Sequence, residues 1–243
     1  MPRPTRGPQL PYRPLAGVVP CGKGWLLAGG RLQGITLTPT DPELFGSLIE
    51  ILDWRPSYEV IAIACPIGLT EDPAKGGRTC DREARRLLGF PRSGAIFSAP
   101  ARRALVATSY EEAVKLNDGI SSAAFPMLQH AAEVDANLEP YWQRTVYEAH
   151  PELSFYQLND DTPMHYGKHT HRGQDERRAL LERRIPGVQQ IIDARTRKGI
   201  RRHHLYDVAA VLWTARRVAG RNVNRVPQDP EWDGKGLRME IVR

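Results

Sequence analysis

The sequence predicts an α/β fold whose mixed central sheet is an antiparallel three-strand meander continued by parallel strands and flanked by helices. Three observations carry that expectation. Strand-like segments follow one another closely between residues 15 and 37, and an apolar run at 58–65 lacks the polar alternation of a half-exposed strand. Most of the remaining chain shows helical periodicity.

Taken in order, residues 1–15 hold five prolines and three arginines and predict a flexible or polyproline-like arm. Residues 16–243 then read as one domain with helical insertions. Strands are expected at Leu15–Val19, Gly24–Ala28 and Arg31–Leu37, with Gly29-Gly30 as the tight turn between the last two. Thr40 or Asp41 is placed to cap a helix with Pro42 in its first turn, and Leu44, Phe45, Leu48, Ile49 and Leu52 supply its periodicity. Tyr58–Cys65 reads as a strand covered on both faces and ended by Pro66.

Further on, Arg78–Leu88 is a charged amphipathic helix stopped by Gly89, and Tyr110–Asn117 and Met127–Leu138 are helical. Gln143–Tyr147 is a candidate strand, followed by a helical turn or two from Pro151. Gln174–Arg184 and Val188–Arg195 flank Pro186 as two helices, and Leu205–Val218 is the last strong one. Leu237–Val242 reads as an edge strand.

The bulk numbers limit the function classes. At 243 residues, 41% hydrophobic and 26% charged, the composition is that of a folded globular chain. No stretch approaches the ~20 apolar residues of a membrane helix, and the start lacks a secretory apolar core, so a cytoplasmic location without membrane partners is expected. Cys21, Cys65 and Cys80 are too few and too scattered for a disulfide framework or a CxxC metal pair, and read as small buried hydrophobes. Between Arg172 and Arg202 there are ten Lys or Arg against four Asp or Glu, a surplus of six that equals the net charge of +6. Such a patch either attracts phosphate backbones or is a solvated helix face with a loop. No GxSxG elbow, P-loop or dinucleotide fingerprint is present.

Several segments together carry a resemblance. They are Gly17-Val-Val-Pro-Cys-Gly-Lys-Gly-Trp25, Ile63-Ala-Cys-Pro-Ile-Gly-Leu69 and Arg78-Thr-Cys-Asp-Arg-Glu-Ala-Arg-Arg-Leu-Leu-Gly89. Glu148-Ala-His-Pro-Glu152, Lys168-His-Thr with Gly173 and Arg177, and Asp207–Arg217 follow in order. The chain resembles a bacterial and archaeal family of uncharacterised proteins predicted to be nucleases with an RNase H-like fold.

That resemblance implies a two-metal site. Paired divalent ions about 4 Å apart activate a water and stabilise the leaving oxygen, and Mg²⁺ or Mn²⁺ needs a cluster of carboxylate oxygens. The implied ligand positions are 19, 64, 148 and 207. Position 19 is Val and position 64 is Ala, neither of which binds a metal. Glu148 and Asp207 remain, with Glu152 one helical turn beyond Glu148 and Lys168 as a phosphate contact. Asp207 is equally placed to complement the dipole at the start of its helix. Arg78, Arg82 and Arg85 suggest a second basic face beside Lys168, Arg172 and Arg177, open to nucleic acid. His165, His169 and His171 have H-x₃-H-x-H spacing, but their basic surroundings favour a flexible loop over zinc.

The leading expectation is therefore an RNase H-like protein with impaired catalysis that keeps nucleic-acid binding and has no certain cofactor. Two alternatives stand beside it. One is an active Mg²⁺- or Mn²⁺-dependent nuclease using Glu148 and Asp207. The other is an interaction scaffold docking a protein partner.

Overall fold

The computed structural model describes residues 11–195 and 199–243. Strands β1 (Arg13–Cys21), β2 (Gly24–Gln33) and β3 (Thr36–Phe45) form the expected meander. Its turns fall at Gly22-Lys23 and Gly34-Ile35, where both glycines have positive φ. Gly29-Gly30, expected as a turn, lies inside β2, where the register against β3 shifts between Ala28 and Gly30. The glycine pair there makes a bulge onto which the Thr40 and Leu37 side chains pack closely, rather than a reversal.

Two more expectations shift in this region. Residues 13–15 of the expected arm belong to β1, and Leu15 is fully buried, while residues 1–10 lie outside the described residues. Thr40–Phe45 continues β3 rather than opening a helix, and α1 is only Leu48–Leu52. β3 is the sheet edge, which tolerates Pro39 and Pro42 because one side of an edge strand needs no ladder bonds.

The five-stranded sheet has the order β3-β2-β1-β4-β5. β4 (Val60–Ile63), buried throughout, lies parallel between β1 and β5 (Val146–Glu148). β5 starts later than expected, because Gln143 lies in a 3₁₀ turn at Pro140–Arg144. The parallel register brings the carboxyl ends of β1, β4 and β5 side by side, with Val18 opposite Ile63 and Ile63 opposite Glu148.

The helices cover both faces. α2 (Thr79–Leu88), α3 (Tyr110–Leu116), α4 (Leu128–Asn137), α5 (Pro151–Leu158), α6 (His171–Arg184), α7 (Gln189–Ile192) and α8 (Arg202–Ala219) complete the set. α8 lies against β1 so closely that a Cβ on Gly17 would sit 2.3 Å from the Leu212 nitrogen. Its core layer joins Leu15, Val19, Ala62 and Leu26 to Val208 and Val211, with α5, α6 and α7 around it. The opposite face packs Val18, Trp25 and Ile63 against Leu48, Ile51, Ala131 and Val134 of α1 and α4. His171 and Arg172, expected in a loop, form the first turn of α6 behind the Thr170 cap, and α7 is shorter than expected.

β6 (Arg225–Trp232) was not anticipated, since Pro227 and Pro230 interrupt it. It pairs with β7 (Arg238–Val242) as a separate two-stranded sheet. Val242 bridges to Ala149, which ties this ribbon to the end of β5. No described helix is long and apolar enough to cross a membrane.

Candidate functional site

The adjacent carboxyl ends of β1, β4 and β5 open onto a cleft of ≈ 570 Å³. In sheets with parallel strands this is where ligands commonly bind. Val19, Ala64, Glu148, Glu152, Lys168 and Asp207 all line it, so residues widely separated in sequence meet there. Residues from 95–100 and 120–131 supply much of the remaining lining, which is mostly apolar.

Each carboxylate in the cleft already has a basic partner. Arg78 donates from Nη2 to Glu148 Oε1 at 2.6 Å and from Nη1 to Glu148 Oε2 at 2.8 Å, and the Ile67 amide donates to the same Oε2 at 2.7 Å. The Lys168 ammonium lies 2.7 Å from Asp207 Oδ2, and Arg177 Nη2 lies 2.6 Å from Glu152 Oε1. Asp207 Oδ1 and Glu152 Oε2 are buried and bond to no described residue.

The sequence explains the first pair. Arg78 precedes α2 and Asp81 is its third residue, so the Asp81 carboxylate caps the Arg78 amide at 3.0 Å and also receives Arg78 Nη2 at 2.8 Å. The Ala99 amide adds a bond at 2.9 Å. Arg78 also donates to the Ile67 and Gly68 carbonyls. Burial pushes the Asp81 carboxyl up, but the Arg78 charge and these hydrogen bonds leave it below its ordinary value. Burial pushes Glu148 up to about 7, against the pull of Arg78.

Strand alternation separates the implied ligands further. Val19 and Ala64 lie with the layer beneath α8, whereas Glu148 is opposite Ile63, whose side chain belongs to the other face. A hard divalent ion wants several converging oxygens. Here two positions are apolar, and one oxygen of each remaining carboxylate, or both in Glu148, is held by a cation. Among the described residues no group of three or more His, Cys, Asp or Glu is placed to hold a metal ion. The residues present do not fit the Mg²⁺ or Mn²⁺ site that the resemblance implies.

The residues expected to face nucleic acid are placed differently from expectation. Arg78 and Arg177 are buried, because each guanidinium neutralises a carboxylate inside the fold. Arg82 is tied to the Gly77 carbonyl and the Thr79 hydroxyl, and Arg85 to the Ile96 and Gly76 carbonyls. The second basic face therefore spends its donors on the loops around α2. Arg172 is exposed and lies over the Tyr166 ring. The three cysteines are free and buried, as expected.

Histidines complete the cleft. His150 caps α5, accepting from the Glu152 amide at Nδ1, and burial together with the nearby Lys168 charge pushes its imidazole down to about 4. His203 is likewise pushed down to about 4, first by burial and then by the His204 charge, and its ring meets those of His169 and His204 edge-on. The His150 and His203 rings are therefore neutral near pH 7. Lys168 is positioned by backbone close packing: a Cβ on Gly173 would lie 2.1 Å from the Gly167 oxygen, and Thr170 caps α6 at Gly173. Arg92 also reaches the cleft and was missed, since nothing in Phe90-Pro-Arg-Ser-Gly distinguishes it from a surface arginine. Asp81 lies in the Arg78–Gly89 segment, and its three-residue spacing from Arg78 at a helix start is the sequence signal for this pair.

Comparison with curated proteins and with solved structures finds no match to this chain. A family model does match, over residues 17–232, which run from within β1 to the end of β6. On that match the chain belongs to the family described as "Protein of unknown function (DUF429)".

Proposed function

We propose that this chain is an RNase H-like protein in which metal-dependent nuclease chemistry has been lost and the cleft is kept as a binding site. The fold half of this reading draws on the sheet order β3-β2-β1-β4-β5, with an antiparallel meander followed by two parallel strands, beside the sequence resemblance. The single observation that carries the functional half is Glu148. Its two oxygens are occupied by Arg78 and the Ile67 amide, next to strand ends that present Val19 and Ala64. Clustered carboxylates repel one another unless cations sit among them, and in this protein the cations are its own side chains.

A polyanionic substrate finds little free positive charge there. Four of the six basic residues first assigned to nucleic acid have guanidiniums engaged within the fold, and Lys168 is paired with Asp207. Arg178 and Arg184, in the basic stretch of α6, pair with Asp193 and Asp160. The test is calorimetric titration with Mn²⁺, with and without a short duplex, alongside incubation of single- and double-stranded DNA and RNA with Mg²⁺ or Mn²⁺. No saturable metal uptake and no cleavage are expected. A metal-dependent cut that disappears in Asp207→Asn would overturn the reading.

A further inference from the structure

We propose that the cleft binds a small monocarboxylate with an apolar body, its carboxylate on Arg92 and its body against Phe97, Ile120, Met127 and Leu128. This deepens the reading above and rests on it, since it takes the cleft as a binding site without a metal. Arg92 opens the 3₁₀ turn Arg92–Ala95, and Phe97 follows directly, so cation and apolar wall reach the cleft from one segment. The Arg92 guanidinium forms no ion pair or hydrogen bond with any described residue, and its Nε is buried without a partner. It lies beside Gly167, where an added Cβ would be 3.6 Å from Nη1, and therefore next to Lys168.

A buried donor without an acceptor is costly to keep, and a planar guanidinium is suited to a carboxylate that accepts two of its N–H groups. Cleft volume and lining also fit this class: pockets of roughly 300–1,000 Å³ with apolar walls and a few polar groups bind small molecules, and this one is ≈ 570 Å³.

Charge selects one anion over another. Arg78 answers Glu148 and Asp81, Lys168 answers Asp207 and Arg177 answers Glu152. Four carboxylates thus face three partners; a proton on Glu148, whose value is raised to about 7, adds one positive unit, and with all four ionised Arg92 brings the set to neutrality. A singly charged ligand leaves the site one unit negative. A phosphate dianion leaves it two units negative against four carboxylates, where repulsion at low dielectric is severe. The neutral imidazoles of His150 and His203 add no compensating charge near pH 7.

The test is calorimetry on the full chain at pH 7 with 3-phenylpropionate, its neutral amide and phenyl phosphate. Wild type should bind the acid saturably, at least about tenfold more tightly than the amide, the effect of one charge-assisted contact. Phenyl phosphate should bind more weakly than the acid. Arg92→Gln should lower acid affinity to the amide's level while leaving the amide unchanged, with an unaltered circular dichroism spectrum. Ala124→Trp, which fills the cleft wall, should weaken both. Equal affinity for acid and amide, an unaffected Arg92→Gln, tighter binding of phenyl phosphate, or no saturable acid binding would each overturn the proposal. Mn²⁺ titrated into the same protein without the acid separates the two readings. Metal uptake there sinks the loss of metal chemistry, whereas absent uptake with absent acid binding sinks only the carboxylate.

Discussion

Arg78 holds Glu148, at the end of β5, through two hydrogen bonds of 2.6 and 2.8 Å, one to each carboxylate oxygen, and both side chains are buried. A buried ion pair of this kind is weak evidence of net stabilisation, but removing one partner leaves an uncompensated charge. Arg78 is also the counterion of Asp81, so its loss strands two carboxylates. Arg78→Met should therefore cost about 3–5 kcal/mol, read as a lower urea midpoint. Glu148→Gln should cost less, because Asp81 still answers the guanidinium. A variant carrying both changes that is as unstable as the sum of the two would show that the pair is not coupled.

Ala64→Asp restores a carboxylate at one implied ligand position without freeing Glu148. Manganese titration of this variant should remain without saturable heat. Saturable binding by the single variant would mean that Arg78 yields Glu148 to a metal after all.

His150 gives a pH signature whose sign follows from its lowered folded value. Its folded pKa of about 4 lies below the ordinary 6.5, so the unfolded chain binds more protons between those values. Its contribution is fully present above about 6.5 and is lost as pH falls towards 4. Glu148 acts with the opposite sign, its raised value of about 7 favouring the fold at the lower end of its window. The wild-type profile is the sum of both, so the difference from His150→Gln isolates the histidine. Wild type should lose stability relative to the variant as pH drops from 7 to 5, followed by urea unfolding at each pH. A constant difference would remove His150 from the account.

Gly17 tests how α8 seats on the sheet. A Cβ there would meet the Leu212 nitrogen at 2.3 Å and the Val208 oxygen at 2.6 Å, both helix backbone atoms that cannot rotate away. Gly17→Ala should destabilise by about 3 kcal/mol or more, the upper end of overpacking. Gly22→Ala, in open space at positive φ, should cost only about 1 kcal/mol. Equal midpoints for the two variants would contradict the close approach.

Much of the fold was legible because local patterns carried it. The Val60–Ile63 run lacks alternation because both its faces are covered, and the apolar spacing through Leu205–Val218 announces α8. Pro42 misled because it suits a helix start as well as an edge strand, and only the sheet's edge decides between them. The ribbon strand Arg225–Trp232 was hidden for the same reason.

At the site, sequence alone determined which residue types are present: Val at 19, Ala at 64, and the carboxylates Glu148, Glu152 and Asp207. It could also order them along successive elements of one fold. Tertiary structure alone decided what faces each carboxylate. Arg78 and Arg177 read in sequence as surface charges on basic faces open to nucleic acid, yet each lies inside the fold against an acid 70 or 25 positions away. Charge pairing acts over a few ångströms of space, while sequence patterns report only the face of a helix or strand, so the partner of a buried charge is fixed when distant elements pack.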